Sequence, residues 1–306
     1  MLNLPRKLSL KRPLAIALGG GGARGALQVG ALRALVEHGV QPDILVGTSI
    51  GAVNATYLAI HGLTLESLKG LEQAWHKAAQ ANLLPANYLW LTLRFLLGGV
   101  GWRSDHRLRE FFIMHGLSPK LTFAELCHVR LILVATDLDS GKMVLYGEDL
   151  SQSVLEGLLA STALPPWVYP LDQGTRSLIY GGVVSTLPIE PSLRQGAKEI
   201  IALDLMDPRV TFTVAVPSFG PFIVKLINTV EQRQLELEMA LAAAHRVPVW
   251  HIQLRGEGPV PMWDFSHTAA LIEHGYQITQ AEIRKRLAKP SPEWLNRLRK
   301  LLVPNP

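Results

Sequence analysis

A run of apolar residues that breaks into a Gly-x-Ser-x-Gly turn constrains this chain more than any other feature. Ile44-Leu45-Val46 lead into Gly47-Thr48-Ser49-Ile50-Gly51, and the turn opens a small-residue helix at Ala52-Val53-Asn54-Ala55. This is the pattern of a nucleophile elbow, in which a strand turns sharply into a helix and holds the turn serine in a strained conformation with its hydroxyl exposed. Gly47 and Gly51 leave room where a Cβ would clash, and the new helix directs N–H groups at the same spot. Ser49 is therefore the candidate nucleophile. In a chain with 26 glycines the same pattern also fits a plain strand-turn-helix corner, so its surroundings decide.

A second glycine-rich loop precedes the elbow. Leu14-Ala15-Ile16-Ala17-Leu18 reads as a buried strand and Gly19-Gly20-Gly21-Gly22-Ala23-Arg24-Gly25 as a loop. Ala26 to Leu35 then repeats apolar residues at helical spacing before a stop at Gly39. Gly20-x-Gly22-x-x-Gly25 fits the dinucleotide fingerprint, which wants an acidic residue at the end of the second strand. Here that strand ends in Gly47-Thr48-Ser49, and Asp43 stands ahead of it. Acyl transfer accounts better for the two loops together. Consecutive unpaired N–H groups suit an oxyanion as well as a phosphate, and in a parallel sheet both loops would lie at the carboxyl ends of neighbouring strands.

These two loops, with Ala160-Ser161-Thr162-Ala163-Leu164-Pro165 and Gly181-Gly182-Val183-Val184-Ser185-Thr186-Leu187-Pro188, resemble the patatin-like phospholipase family, in its bacterial branch related to neuropathy target esterase. The resemblance implies a three-layer α/β fold with a central, mainly parallel sheet flanked by helices. It also implies a Ser–Asp dyad without a catalytic histidine, cofactor or metal. By position, Ser49 matches the family nucleophile and Gly20, Gly21, Gly22 and Arg24 its oxyanion loop, while Gly25, Gly47, Gly51, Gly181 and Gly182 match the motif glycines. The family aspartate opens an Asp-Gly-Gly or Asp-Gly-Ala motif, and here that position reads Tyr180-Gly181-Gly182. A phenol, with an ordinary pKa of about 10, is a poor base at neutral pH, and a positioned base contributes roughly 10²–10⁴-fold. Asp172, the nearest upstream acid, reads as an Asx-turn residue in a hairpin rather than a substitute base.

At 306 residues the chain is within range of one large α/β enzyme. It divides into a basic N-terminal extension (1–12), an acyl hydrolase domain (13–285) and a basic amphipathic tail (286–306). The net charge of +5 gathers at the two ends, as in Arg6, Lys7, Lys11 and Arg12. These read as solvated termini, with an anionic membrane surface as the rival partner and no nucleic acid expected. No run of about 18 apolar residues is free of breaks, so the expectation is a soluble, cytoplasmic chain, peripheral to the inner membrane face at most. The single Cys127 excludes an internal disulfide and reads as a small buried hydrophobe.

Leu131–Asp137, Ile200–Asp204 and Val249–Ile252 read as strands, and residues 63–81 and Ile223–Ala244 as helices, the latter with Glu231, Gln232, Arg233 and Glu236 on its polar side. His251, His267 and His274 read as strand and capped-helix residues rather than triad members, and no histidine or cysteine spacing suggests a metal. Leu83 to Gly101, with Trp90 and Phe95, is either core or a lipid-facing lid or acyl pocket wall. Two functions stay open. One is a serine hydrolase of phospholipid, lysophospholipid or other lipid esters with a weakened base; the other is a catalytically silent patatin-fold protein that binds a lipid or a protein partner.

Overall fold

The computed structural model describes residues 8–80, 104–164, 168, 170–174, 176–209 and 219–288; the Leu83–Gly101 patch and the tail from residue 289 lie outside them. Strands β1 (Leu14–Leu18), β2 (Ile44–Thr48), β3 (Arg130–Asp137), β4 (Met143–Tyr146), β5 (Leu171–Asp172), β6 (Ser177–Tyr180), β7 (Glu199–Asp204) and β8 (Val249–Gln253) form one sheet. Its order is β5-β6-β3-β2-β1-β7-β8, with β4 also paired to β3. The five strands from β3 to β8 along this order are parallel, whereas β4 and β6 run antiparallel to β3 and β5 antiparallel to β6. β1, β2 and β7 are buried along their whole length, which is why they read as continuous apolar runs rather than as alternating ones.

The described helices are α1 (Ala26–Glu37), α2 (Ile50–His61), α3 (Leu65–Gln80), α4 (Ser104–Met114), α5 (Val154–Thr162), α6 (Ile189–Arg194), α7 (Phe219–Ala244) and α8 (Thr268–Ala288). They cover both faces of the sheet. Leu14, Ile16 and Leu18 of β1 pack with α1, α2 and α5, and the intervening Ala15 and Ala17 pack with Ile189 and Ala242 of α6 and α7. Each fully buried leucine or isoleucine of this kind contributes roughly 1.5–3 kcal/mol. On the first face α1 and α8 touch backbone to backbone: a Cβ on Gly30 would stand 1.8 Å from the Ile272 carbonyl oxygen, and one on Gly275 would stand 2.0 Å from that of Leu27.

β3 organises the site end of the sheet. Its Leu133 and Val134 pair with both β2 and β4, and Ala135 and Thr136 pair with both β6 and β4. A strand has two edges, so β2 and β6 occupy successive stretches of the same edge. β2 ends at Thr48 opposite Val134, and β6 ends at Tyr180 opposite Ala135. Two expectations need correction. Cys127 is exposed, because it lies in the connection between the Phe123–Glu125 turn and β3, which runs over the surface. Glu231 is buried, not on the polar side of α7.

Candidate active site

Ser49 sits between β2 and α2 with φ 55° and ψ −121°, in the left-handed half of backbone space that a serine seldom adopts. The crossing that imposes this is tight. A Cβ on Gly47 would lie 2.6 Å from Ala52 Cα, and one on Gly51 would lie 2.1 Å from the Leu18 carbonyl oxygen. The Ser49 N–H donates to Ser161 Oγ at 2.9 Å, and Thr48 Oγ1 donates to the Ser185 carbonyl at 2.9 Å. The Ala160-Ser161 and Ser185-Thr186 segments thus brace the turn from α5 and from the connection to α6.

The glycine loop leaves the end of β1, the parallel neighbour of β2. Its Gly19 N–H donates to the Leu203 carbonyl at 3.2 Å and its Gly20 N–H to that of Thr186 at 3.0 Å. The Gly20 amide is thereby committed, whereas those of Gly21 and Gly22 meet no hydrogen-bond acceptor among the described residues. Gly22, at φ +58°, passes so close to Met262 that a Cβ would stand 2.1 Å from its carbonyl oxygen.

A buried polar chain holds the loop to the elbow helix. Trp75 Nε1 donates to Asn54 Oδ1 (2.9 Å), Asn54 Nδ2 donates to Gln28 Oε1 (3.0 Å) and to the Gly25 carbonyl (3.1 Å), and Gln28 Nε2 donates to the Gly19 carbonyl (2.9 Å). Sequence reasoning passed over Gln28, Asn54 and Trp75. Their signal was an amide on the apolar face of each of two helices, where a buried polar group requires partners.

Tyr180 is fixed by its backbone. Its N–H donates to the Ala163 carbonyl at 2.9 Å, its own carbonyl accepts from Thr136 Oγ1 at 3.0 Å, and a Cβ on the following Gly181 would stand 2.1 Å from the Val134 carbonyl oxygen. The buried ring crosses two glycines. The point where a Gly20 Cβ would stand is 2.7 Å from the phenol oxygen and 3.5 Å from Ser49 Cβ, and a Gly182 Cβ would stand 2.2 Å from that oxygen. Ser49, Gly20 and Tyr180 are therefore gathered around one point, although the Ser49 and Tyr180 hydroxyls do not bond one another. The phenol donates instead to Glu231 Oε1, at 3.3 Å.

The patatin-like phospholipase model matches residues 16–193, a span that takes in the glycine loop, Ser49 and Tyr180. The chain belongs to the patatin-like phospholipase family. Among its curated relatives are patatin-like phospholipase domain-containing protein 7 of Mus musculus, 29% identical over 63% of this chain, and protein 6 of Homo sapiens, 30% identical over 63%. Lysophospholipase NTE1 of Debaryomyces hansenii is 26% identical over 67%. The match spans only 13%, 13% and 12% of the length of these three relatives. Among solved structures, VipD from Legionella pneumophila aligns with a TM-score of 0.44 at 14% identity, over 94% of this chain and 72% of that one.

In this patatin-like chain Tyr180 is a phenol in an environment that keeps it neutral. Burial, and then the Glu231 carboxylate, push the Tyr180 pKa well above its ordinary value. Burial also raises Glu231, to about 7, against the opposing pull of the Arg24 cation and of hydrogen bonds from Thr186 and Tyr180; nearby Asp204 adds to the rise. Arg24 itself is half-buried, with Nε donating to the Gly21 carbonyl at 3.2 Å.

Asp172 is exposed in the β5–β6 hairpin, its Oδ1 accepting from the Gly174 N–H at 2.9 Å, an Asx turn. His251 Nε2 meets Asp204 Oδ2 at 2.8 Å, and Asp264 Oδ1 caps the turn before α8 by accepting from the Ser266 N–H at 3.0 Å, with His267 exposed beyond it. His274 is half-buried within α8. Among the described residues no cluster of three or more histidine, cysteine or acidic side chains could hold a metal.

Ser49 and Gly22 open onto a cavity of about 200 Å³. Its walls are largely apolar and include Val53, Tyr57, Trp75, Phe111 and Leu117 from α2, α3 and the end of α4. A long hydrocarbon chain is the chemistry such a wall accepts. Among the described residues no helix is long and apolar enough to cross a membrane.

Proposed function

We propose that residues 13–285 form a serine acyl hydrolase that cleaves ester bonds of lipids, with phospholipids and lysophospholipids as the substrate class. The observation that carries this reading is the position of Ser49: a strained elbow serine at the mouth of an apolar cavity, beside a loop whose Gly21 and Gly22 amides meet no acceptor among the described residues. Ser49 Oγ attacks the ester carbonyl, and the Gly21 and Gly22 N–H groups receive the developing oxyanion. Each such donor is worth roughly 10²–10³-fold in rate. The alcohol leaves, and water then releases the fatty acid from Ser49. Exposed Val183, Leu226, Val230 and Leu237 line one side of α7 and its neighbouring turn, which supports peripheral contact with a lipid surface.

The test is fluorophosphonate labelling, with turnover of p-nitrophenyl esters of increasing chain length, on wild type and Ser49→Ala. Labelling and turnover that vanish in Ser49→Ala, with kcat/KM rising with acyl length, are expected; turnover indifferent to Ser49 would overturn the assignment. A second reading is favoured by Tyr180, which stands where the family carries aspartate: a silent member that binds an acyl ligand in the same cavity. Fatty-acid binding by a wild type that neither labels nor turns over would establish that reading instead.

A further inference from the structure

Tyr180 stands where the family motif is expected to carry aspartate, and the site holds a carboxylate from outside that motif. Glu231 comes from α7, is 9% exposed, and receives the hydrogen bond of the Tyr180 phenol. We propose that Ser49, Tyr180 and Glu231 form a proton relay in which Glu231, acting through the Tyr180 phenol, takes the place of the missing aspartate. The relay rests on the hydrolase reading above and supplies the base that reading lacks.

The direction of the hydrogen bond gives the relay its sense. Because Tyr180 donates its proton to Glu231, the phenol oxygen acts only as an acceptor toward its other neighbours, the Thr186 hydroxyl and a proton from the Ser49 side. The ring lies over Gly20 and Gly182, where any side chain would collide with it, so two glycines shape the slot that aims the oxygen. Ser49 Cβ and the phenol oxygen flank the same point above Gly20. In the relay the two hydroxyls meet through rotation of Ser49 about χ1 or through one bridging water, since catalytic hydrogen bonds often tighten only with substrate bound. Tyr180 alone cannot serve, because its phenol stays protonated.

The charged and polar groups facing Glu231 are Tyr180 from β6, Arg24 from the glycine loop, Asp204 from the end of β7 and Thr186 from the connection to α6. Arg24 favours the ionised carboxylate and burial and Asp204 oppose it, which leaves Glu231 near 7, where a base is most useful at neutral pH.

The protons balance through both half-reactions. As Ser49 Oγ bonds to the ester carbonyl carbon, its proton passes to the Tyr180 oxygen while the phenol's own proton passes to Glu231, so Tyr180 stays neutral and Glu231 becomes a carboxylic acid. When the tetrahedral intermediate collapses and the ester C–O bond breaks, Tyr180 gives a proton to the leaving alkoxide and recovers one from Glu231. Water then enters by the same route and attacks the acyl-Ser49 ester. Its proton moves out to Glu231 and returns to Ser49 Oγ as the acid departs.

The experiment compares kcat/KM for a p-nitrophenyl ester across pH 5–9 in wild type, Glu231→Gln, Tyr180→Phe, Tyr180→Asp and the Tyr180→Asp/Glu231→Gln pair, with circular-dichroism melts confirming the fold. Glu231→Gln is expected to lose on the order of 10²-fold. Tyr180→Phe is expected to lose a similar amount, since both cut one relay. Wild-type activity should climb with pH to a plateau above about 7, and that limb should flatten in Glu231→Gln. In Tyr180→Asp, where a carboxylate sits on the strand itself, the limb should move down toward the ordinary carboxylate range and Glu231→Gln should cost far less than it does in wild type. If Glu231→Gln fails to fold, Tyr180→Phe carries the same expectation. An active wild type whose rate and pH limb are unchanged by Glu231→Gln or Tyr180→Phe, with Ser49→Ala dead, overturns the relay and leaves the hydrolase. A wild type that is inert while Tyr180→Asp turns over also overturns it, and absence of Ser49 labelling in every variant removes the hydrolase reading along with it.

Discussion

The glycine loop and the Ser49 elbow are made mostly of backbone: two adjacent parallel strands end, two chains cross at van der Waals distance, and side chains (the Gln28 and Asn54 amides, the Trp75 indole, the Thr48 and Ser161 hydroxyls and Arg24) pin them. The Tyr180–Glu231 side is made of side chains, brought together from positions 51 apart in sequence and tuned by burial. Backbone devices demand glycine at fixed spacing and leave a short, rigid signature. Side-chain devices demand only that some acid reach one point, and several places on the fold can provide it.

That contrast is sharpest where each side is substituted. Gly51→Ala is expected to have the largest effect, because its Cβ would meet the Leu18 carbonyl oxygen at 2.1 Å with no flexible neighbour to yield. A loss above ~3 kcal/mol in urea unfolding is anticipated, and a variant of near wild-type stability would show that the crossing is softer than its geometry. The side-chain half should instead respond to pH. Burial raises Glu231 and Glu238 each to about 7, above the ordinary glutamate value of 4.5. The folded form therefore holds these protons more tightly than the unfolded one, and the stability they contribute is complete below about pH 4.5 and is lost as pH rises through 7. Between pH 5 and 8 the melting temperature should fall by several degrees more in wild type than in Glu238→Gln, a difference on the order of 1–3 kcal/mol; parallel pH curves would sink this account. The smallest effect belongs to Asp172→Ala. Its carboxylate only closes an exposed turn, so stability should move by no more than ~0.5 kcal/mol and kcat/KM should hold, whereas a tenfold drop in turnover would make Asp172 part of the proton path.

The same contrast governs what the sequence could reveal. Ser49, Gly47 and Gly51 were legible because steric exclusion acts over five residues, and the inner strands were legible because burial on both faces leaves no alternation. Tyr180 was located by the motif around it and not by any property of tyrosine. Glu231 was hidden in the α7 pattern. Positions 231, 234, 235, 238 and 242 recur at helical spacing and face inward, but two of the five are glutamates, and a hydropathy stripe assigns a glutamate to solvent. Cys127 shows the opposite error, a residue-type preference for burial overridden by a surface connection.

The shared edge of β3 has a consequence for substitution at position 180. Position 180 is held by main-chain bonds to Ala163 and Thr136 and by the register with Ala135, none of which consults the side chain. Substitution at position 180 therefore leaves β6 in register with β3, so variants there differ in the chemistry they present and not in where the backbone carries it.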